Sequence, residues 1–146
     1  MNEKLTWEEI RAKEVGTILH DEFDEGIRFI IMRGPGSLCA YIGIPLDHPL
    51  ANKSYNDLSV SAHGGLTFAK KGEKGFFPEG FFWYGWDYAH SGDYCFYNDE
   101  PCLSKFKFNH LKEKKWLIED VIKDSWETKY DFKKLMKLAE EIKNQK

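Results

Sequence analysis

Residues 81–93 read FFWYGWDYAHSGD. Five aromatic side chains fill the six positions from Phe81 to Trp86, and Asp87, His90 and Asp93 follow at three-residue steps. A core accepts the aromatics but not the acids, and an exposed loop accepts the acids but not the aromatics. A strand that crosses the interior and leaves it at a polar turn reconciles the two. Alternate side chains of a strand fall on opposite faces. The aromatics are therefore expected to divide between a core and the wall of a pocket, with the acids and His90 at its mouth. Gly85 within the run predicts a bulge or a close backbone approach.

Working outward, TILHDEF (17–23) and IRFIIMR (27–33) are β-rich runs around Asp24-Glu25-Gly26, which predicts a hairpin. Gly34-Pro35-Gly36 is a break, and SLCAYIGIP (37–45) is a further strand. LSVSAHGGLTFA (58–69) alternates, with Leu58, Val60 and Ala62 to one side and Ser59, Ser61 and His63 to the other. Thr6 and Glu9 have the spacing of a capping box for a short helix running to about Val15. At the other end, 112–126 and 128–143 read as helices, the second with Phe132, Leu135, Met136, Ala139 and Ile142 on one face and a start signal at Thr128 and Asp131. Strands first and helices last predict an α+β fold. About five antiparallel strands carry a short N-terminal helix and two C-terminal helices, in one domain spanning residues 1–146.

Composition bounds the function. The chain has 146 residues, a formal net charge of −3, 31% charged and 42% hydrophobic residues, which is an ordinary globular balance. An acidic total disfavours a long nucleic acid as partner, because phosphate-backbone binders carry a basic face. The lysines of the C-terminal third are interleaved with acids and read as a solvated helix face. No apolar run approaches the roughly 20 residues of a membrane span. The charged N-terminus lacks the apolar region of a secretion signal. Cys39, Cys95 and Cys102 have no CxxC spacing, which argues against a zinc knuckle or a disulfide framework and for a cytoplasmic location.

Asp87, His90 and Asp93 form a D-x-x-H-x-x-D pattern. A carboxylate beside an imidazole fixes its tautomer and raises its basicity, which is how a general base is built. With His63, which precedes Gly64-Gly65, these are the candidate catalytic residues. The same groups, joined by His48, could ligate a metal, and that question stays open. The structural alternative is that Asp87 and Asp93 cap turns around Gly92 while His90 packs on Tyr88. No nucleophile elbow and no phosphate-cradling loop occurs, and no cofactor is expected. Thr67, Ser91 and Cys39 are nucleophiles only in the generic sense.

Cys39, Tyr41, Gly43, Pro45, His48, Pro49, the run His63–Phe68, and Trp83, Gly85, Asp87, Ala89, His90, Gly92 and Asp93 together resemble a family of small phage- and prophage-encoded proteins. Its motifs are HGGLTF and WxGxDxAHxGD, and the resemblance covers about residues 38–95. The chain departs at Tyr88, where many relatives have Cys, so a thiol role does not carry over. The resemblance implies a phage context and names no activity. In that context the first expectation is a sponge that sequesters a nucleotide-derived immune signal, a cyclic ADP-ribose-like molecule or a cyclic dinucleotide. Trp83 and Trp86, with Phe82, would stack on a base. His63, His90 and the Gly64-Gly65 amides would meet phosphate or ribose. His48, Thr67, Asp87 and Asp93 complete the expected ligand contacts. Two alternatives stand beside it: a hydrolase of the same ligand using His/Asp or metal chemistry, and an inhibitor that docks on a host enzyme. The expected partner is thus a small nucleotide-like ligand in the host cytoplasm, with a homo-oligomer left open.

Overall fold

The computed structural model describes residues 4–75, 77–99 and 113–145. It is an α+β fold built on one antiparallel sheet. The strands are β1 (Ile18–Asp24), β2 (Ile27–Arg33), β3 (Leu38–Pro45), β4 (Phe68–Lys71) and β5 (Phe81–Asp87), in the order β1-β2-β3-β5-β4. The first two form the expected hairpin. Its two linking residues, Glu25 and Gly26, have φ of 51° and 81°, the left-handed pair that a tight type I′ turn demands.

Period-2 alternation sorts the sheet into two faces. Ile27, Phe29, Ile31, Leu38, Ala40, Ile42, Ile44, Phe82, Tyr84 and Trp86 fill the main core. The helices α1 (Trp7–Arg11), α2 (Ile118–Asp124) and α3 (Trp126–Asn144) cover it, contributing Trp7 and Ile10, Val121, and Phe132 and Met136. Ile30, Trp83, Met32, Tyr41, Phe68 and Phe81 form a smaller core on the opposite face, closed by Phe77 from the loop before β5. The aromatic run of β5 therefore serves two cores. The strand passes Gly85 without a bulge, in unbroken register from Cys39↔Asp87 to Pro45↔Phe81. Gly85 is there for close approach, because a Cβ would collide with the Tyr41 ring.

Four local expectations are corrected. The capping box forms as read, with Thr6 N–H on Glu9 Oε1 at 2.9 Å, but α1 ends at Arg11 rather than Val15. Residues 58–62 alternate in burial, but the pattern breaks at His63 and 58–67 form no strand of the sheet; only Phe68–Lys71 does. Helix side chains take the place of a strand partner there: the Ser61 amide donates to Asp131 and the Thr128 hydroxyl to the Ser61 carbonyl. The residues read as a start signal for the last helix are thus spent on a tertiary contact, and that helix begins at Trp126. Finally, 113–117 are not helical, since the Lys114 amide donates to Gly92 O at 2.9 Å and its carbonyl accepts from Tyr94 at 2.8 Å. Lys112 and Cys102 lie outside the described residues. None of the described helices is long and apolar enough to cross a membrane.

Asp99 ties α1 to the body, accepting from Trp7 Nε1 at 2.9 Å and Tyr94 OH at 2.7 Å. Burial pulls its pKa upward, but these two donors, with Arg11 and Lys115 nearby, outweigh it and hold the carboxyl below its ordinary value. A lowered folded-state pKa contributes stability that is complete above the unfolded value, about 4, and is lost as pH falls through the lower one. The urea midpoint is expected to drop below about pH 4. Asp99→Asn should flatten that part of the profile; an unchanged profile would remove Asp99 from the acid response.

Candidate functional site

Two turns meet at the C-terminal end of β5. The first closes with Gly65 N–H on Ala62 O at 2.9 Å, with Gly64 at its third position and φ of 71°. Such a turn needs positive φ there, which glycine supplies without strain. The second closes with Asp93 N–H on His90 O at 2.9 Å, with Gly92 at φ 92° in the same place. His63 is carried by the first turn, and His90 and Asp93 by the second.

The two turns are joined by a buried carboxylate. Asp93, whose side chain is 3% exposed, takes His63 Nε2 at 2.7 Å and the His90 backbone N–H at 2.9 Å on one oxygen. Its other oxygen takes Trp116 Nε1 at 2.8 Å. Because Asp93 accepts from Nε2, the ring proton sits on that nitrogen and Nδ1 of a neutral His63 carries the lone pair. Nδ1 has no hydrogen-bond partner among the described residues. The imidazole is held on its face as well: it stacks on Tyr88 at 4.5 Å and 17° and meets Trp116 edge-on at 4.9 Å. Tyr88 in turn accepts from Trp86 Nε1 at 3.1 Å and donates to Asp124 at 2.7 Å. Burial first, and then the Asp124 acceptor, push the Tyr88 pKa up against the pull of the Trp86 donor, so the phenol keeps its proton.

Asp87 and His90 form a second, looser pair at 3.3 Å. His90 Nε2 is shielded from solvent, yet the geometry gives it no hydrogen bond. Asp87 Oδ1 accepts instead from the Ala89 N–H at 3.1 Å. Both acids therefore cap turns as well as meeting a histidine, but the ring packed on Tyr88 is that of His63 and not of His90. The His90 ring lies directly on Gly64, where a Cβ would overlap it. Gly64→Ala is expected to cost about 1–2 kcal/mol for the left-handed backbone alone and to displace His90. Urea unfolding and the His90 ring proton resonances check this; wild-type stability with unmoved resonances would contradict it.

Of the ten sequence-derived ligand contacts, the structure brings together His63, Gly64, Asp87, His90 and Asp93. Gly65 is adjacent, but its amide is engaged by Ala62, so it is not an open anion donor. Thr67 lies where its amide meets Gly85 O at 2.9 Å. His48 belongs elsewhere: its Nδ1 accepts from the Leu50 amide at 3.0 Å and its Nε2 meets Glu140 of α3 at 2.8 Å. Trp83 and Trp86 are 0% and 1% exposed, on opposite faces of the sheet, so neither offers a face to a ligand. Cys39 is held as a thiol, burial first raising its pKa to about 11. Sequence reasoning missed Trp116, hidden in an expected helix, and Asp124, and it paired Tyr88 with His90 where the structure pairs it with His63. A lone tryptophan in the charged run EKKW was the available signal.

Beside His63 opens a recess of about 210 Å³, lined by Ser61, Ala62, His63, Asp124, Glu127 and Thr128. A roomier cavity of about 480 Å³ lies between the start of β1 and α2. Leu5, Ile18, Leu19, Ile118 and Ile122 line it together with charged groups such as Lys13 and Glu119, and it holds none of the paired groups above. The chemistry sits at the smaller one. Among the described residues, no three His, Cys, Asp or Glu side chains are grouped so as to hold a metal ion. No protein-family profile, curated protein or solved structure matches the chain.

Proposed function

We propose that the chain is a small-ligand-binding protein that captures a nucleotide-derived molecule at the recess beside His63. The observation that supports this reading is the His63–Asp93 pair at 2.7 Å, oriented before any ligand arrives by the Tyr88 stack and the Trp116 edge. A preset imidazole loses little freedom on binding, which is where weak polar contacts gain affinity. Asp124 and Glu127 line the same recess. Carboxylates accept from hydroxyls and exocyclic amines and repel phosphates, so a ribose or base edge suits this recess better than a phosphate does. The recess is smaller than the roughly 300 Å³ of a drug-sized pocket, so it takes one group of the ligand while the rest lies over the surface. In the phage setting that the sequence motifs suggest, such capture would remove a defence signal.

A hydrolase is the second reading, favoured by the same pair: with Nε2 on Asp93, His63 Nδ1 is placed as a general base. One experiment separates the two. Cyclic ADP-ribose and a cyclic dinucleotide are titrated calorimetrically, and the complex is then heat-denatured and the released ligand identified by mass. Capture predicts intact ligand, and binding weakened about tenfold or more in His63→Ala but unchanged in His48→Ala. Recovery of cleaved product establishes the hydrolase. Absence of binding to either probe overturns the nucleotide reading.

A further inference from the structure

Arg33 ends β2 and is only 8% exposed. Its Nη1 donates to the carbonyls of Gly34 (2.6 Å) and Pro35 (3.2 Å), and its Nη2 to the carbonyl of Arg11 (2.8 Å). The guanidinium stacks 4.0 Å over the Phe96 ring. Every one of these contacts is neutral. Its Nε, shielded from solvent, has no hydrogen-bond partner, and among the described residues no carboxylate is paired with it. The charge that does act on it is the like charge of Arg11, which together with burial, the larger cause, lowers its pKa. A buried cation without a counter-ion is costly, and a second cation beside it adds to the cost. Arg11, Arg33, Pro35, Phe96 and Tyr97 line a cavity of about 350 Å³.

We propose that Arg11 and Arg33 form a binding site for a phosphate-type oxyanion, free or carried on a small molecule. Two guanidinium charges from different elements meet at this one cavity, and a tetrahedral oxyanion with several acceptor oxygens would answer both. Phe96 covers one face of the Arg33 guanidinium, and Tyr97 also lines the cavity. Arg11 already reaches one anion, Asp99, with its Nε at 3.4 Å. The site shares no residue with the His63 cluster and does not depend on the function proposed for it.

The test is calorimetric titration of the whole chain with inorganic phosphate, at ionic strength held constant with sodium chloride, and in parallel with adenosine 5′-monophosphate. Saturable binding of one equivalent is expected, weakened about tenfold or more in Arg11→Gln. Arg11 carries the decision because its side chain is 39% exposed and its replacement spares the Arg33 contacts to backbone. Arg33→Lys, which keeps the charge but gives up the carbonyl contacts that hold it at the cavity, should weaken phosphate as well. Equal affinities would identify free phosphate as sufficient, and tighter binding of the nucleotide would identify a carried phosphate. No saturable binding of either probe, or unchanged affinity in Arg11→Gln, overturns the proposal.

Discussion

Trp86→Ala is expected to lower the unfolding free energy by about 3–5 kcal/mol, the range for deleting a large buried aromatic. Trp86 is 1% exposed and faces Ala40 across the β3–β5 ladder. A small cross-strand neighbour cannot swing in to fill the space, so most of the cavity persists and the loss falls toward the upper end of the range. The effect also reaches the site. The Trp86 indole donates to the Tyr88 hydroxyl, which donates to Asp124, and Tyr88 is the face on which His63 stacks. Trp86→Phe keeps most of the volume and removes only that donor; about 1 kcal/mol is expected for it. Urea unfolding of both variants measures the difference. If Trp86→Ala proved as stable as wild type, Trp86 would have to be a surface group rather than core.

Asp93→Asn carries the second large effect, about 2–3 kcal/mol, the scale of a lost hydrogen bond to a charged group with a donor left unsatisfied. Three donors converge on the two carboxylate oxygens: His63 Nε2, the His90 amide and Trp116 Nε1. A carboxylate accepts at both oxygens, whereas an asparagine amide must turn its NH₂ toward one side. Facing Trp116 it meets an indole donor; facing His63 it meets two donors at once. The lesser conflict is with Trp116, and in that orientation His63 keeps an acceptor but loses its charged partner. Stability should therefore fall and the His63 ring resonances should move, since the charged acceptor that holds its Nε2–H is gone. Urea unfolding and histidine NMR spectra at one fixed pH read the two separately. Unmoved His63 resonances would show that Asp93 does not hold this imidazole.

These two sites also mark where local reading succeeded and where it did not. FFWYGWD was legible as a strand because its alternation is a property of neighbouring residues. Which aromatics would be buried was not, because that depends on what covers each face. The segment expected as a pocket wall is sealed on one side by the helices and on the other by Phe77. Similarly, Asp87, His90 and Asp93 announced a histidine–carboxylate site, but the close pair is His63 with Asp93, thirty residues apart. Trp116 escaped notice because helix periodicity fits 112–126 in isolation, whereas pairing of Lys114 with Gly92 and Tyr94 holds that stretch extended.

Residue order alone was enough for the class of fold, the β1–β2 hairpin, the cap of α1 and the turn around Gly92. Each of these is decided by groups within a few residues of one another, so local chemistry suffices. That 62–65 form a turn against His90, that His63 is oriented by Asp93, that both β5 tryptophans are core and that Arg11 and Arg33 lie together emerged only from the folded chain. Those outcomes arise from contacts between distant segments, whose relative placement is set by burial of the two sheet faces rather than by any residue's neighbours in the chain.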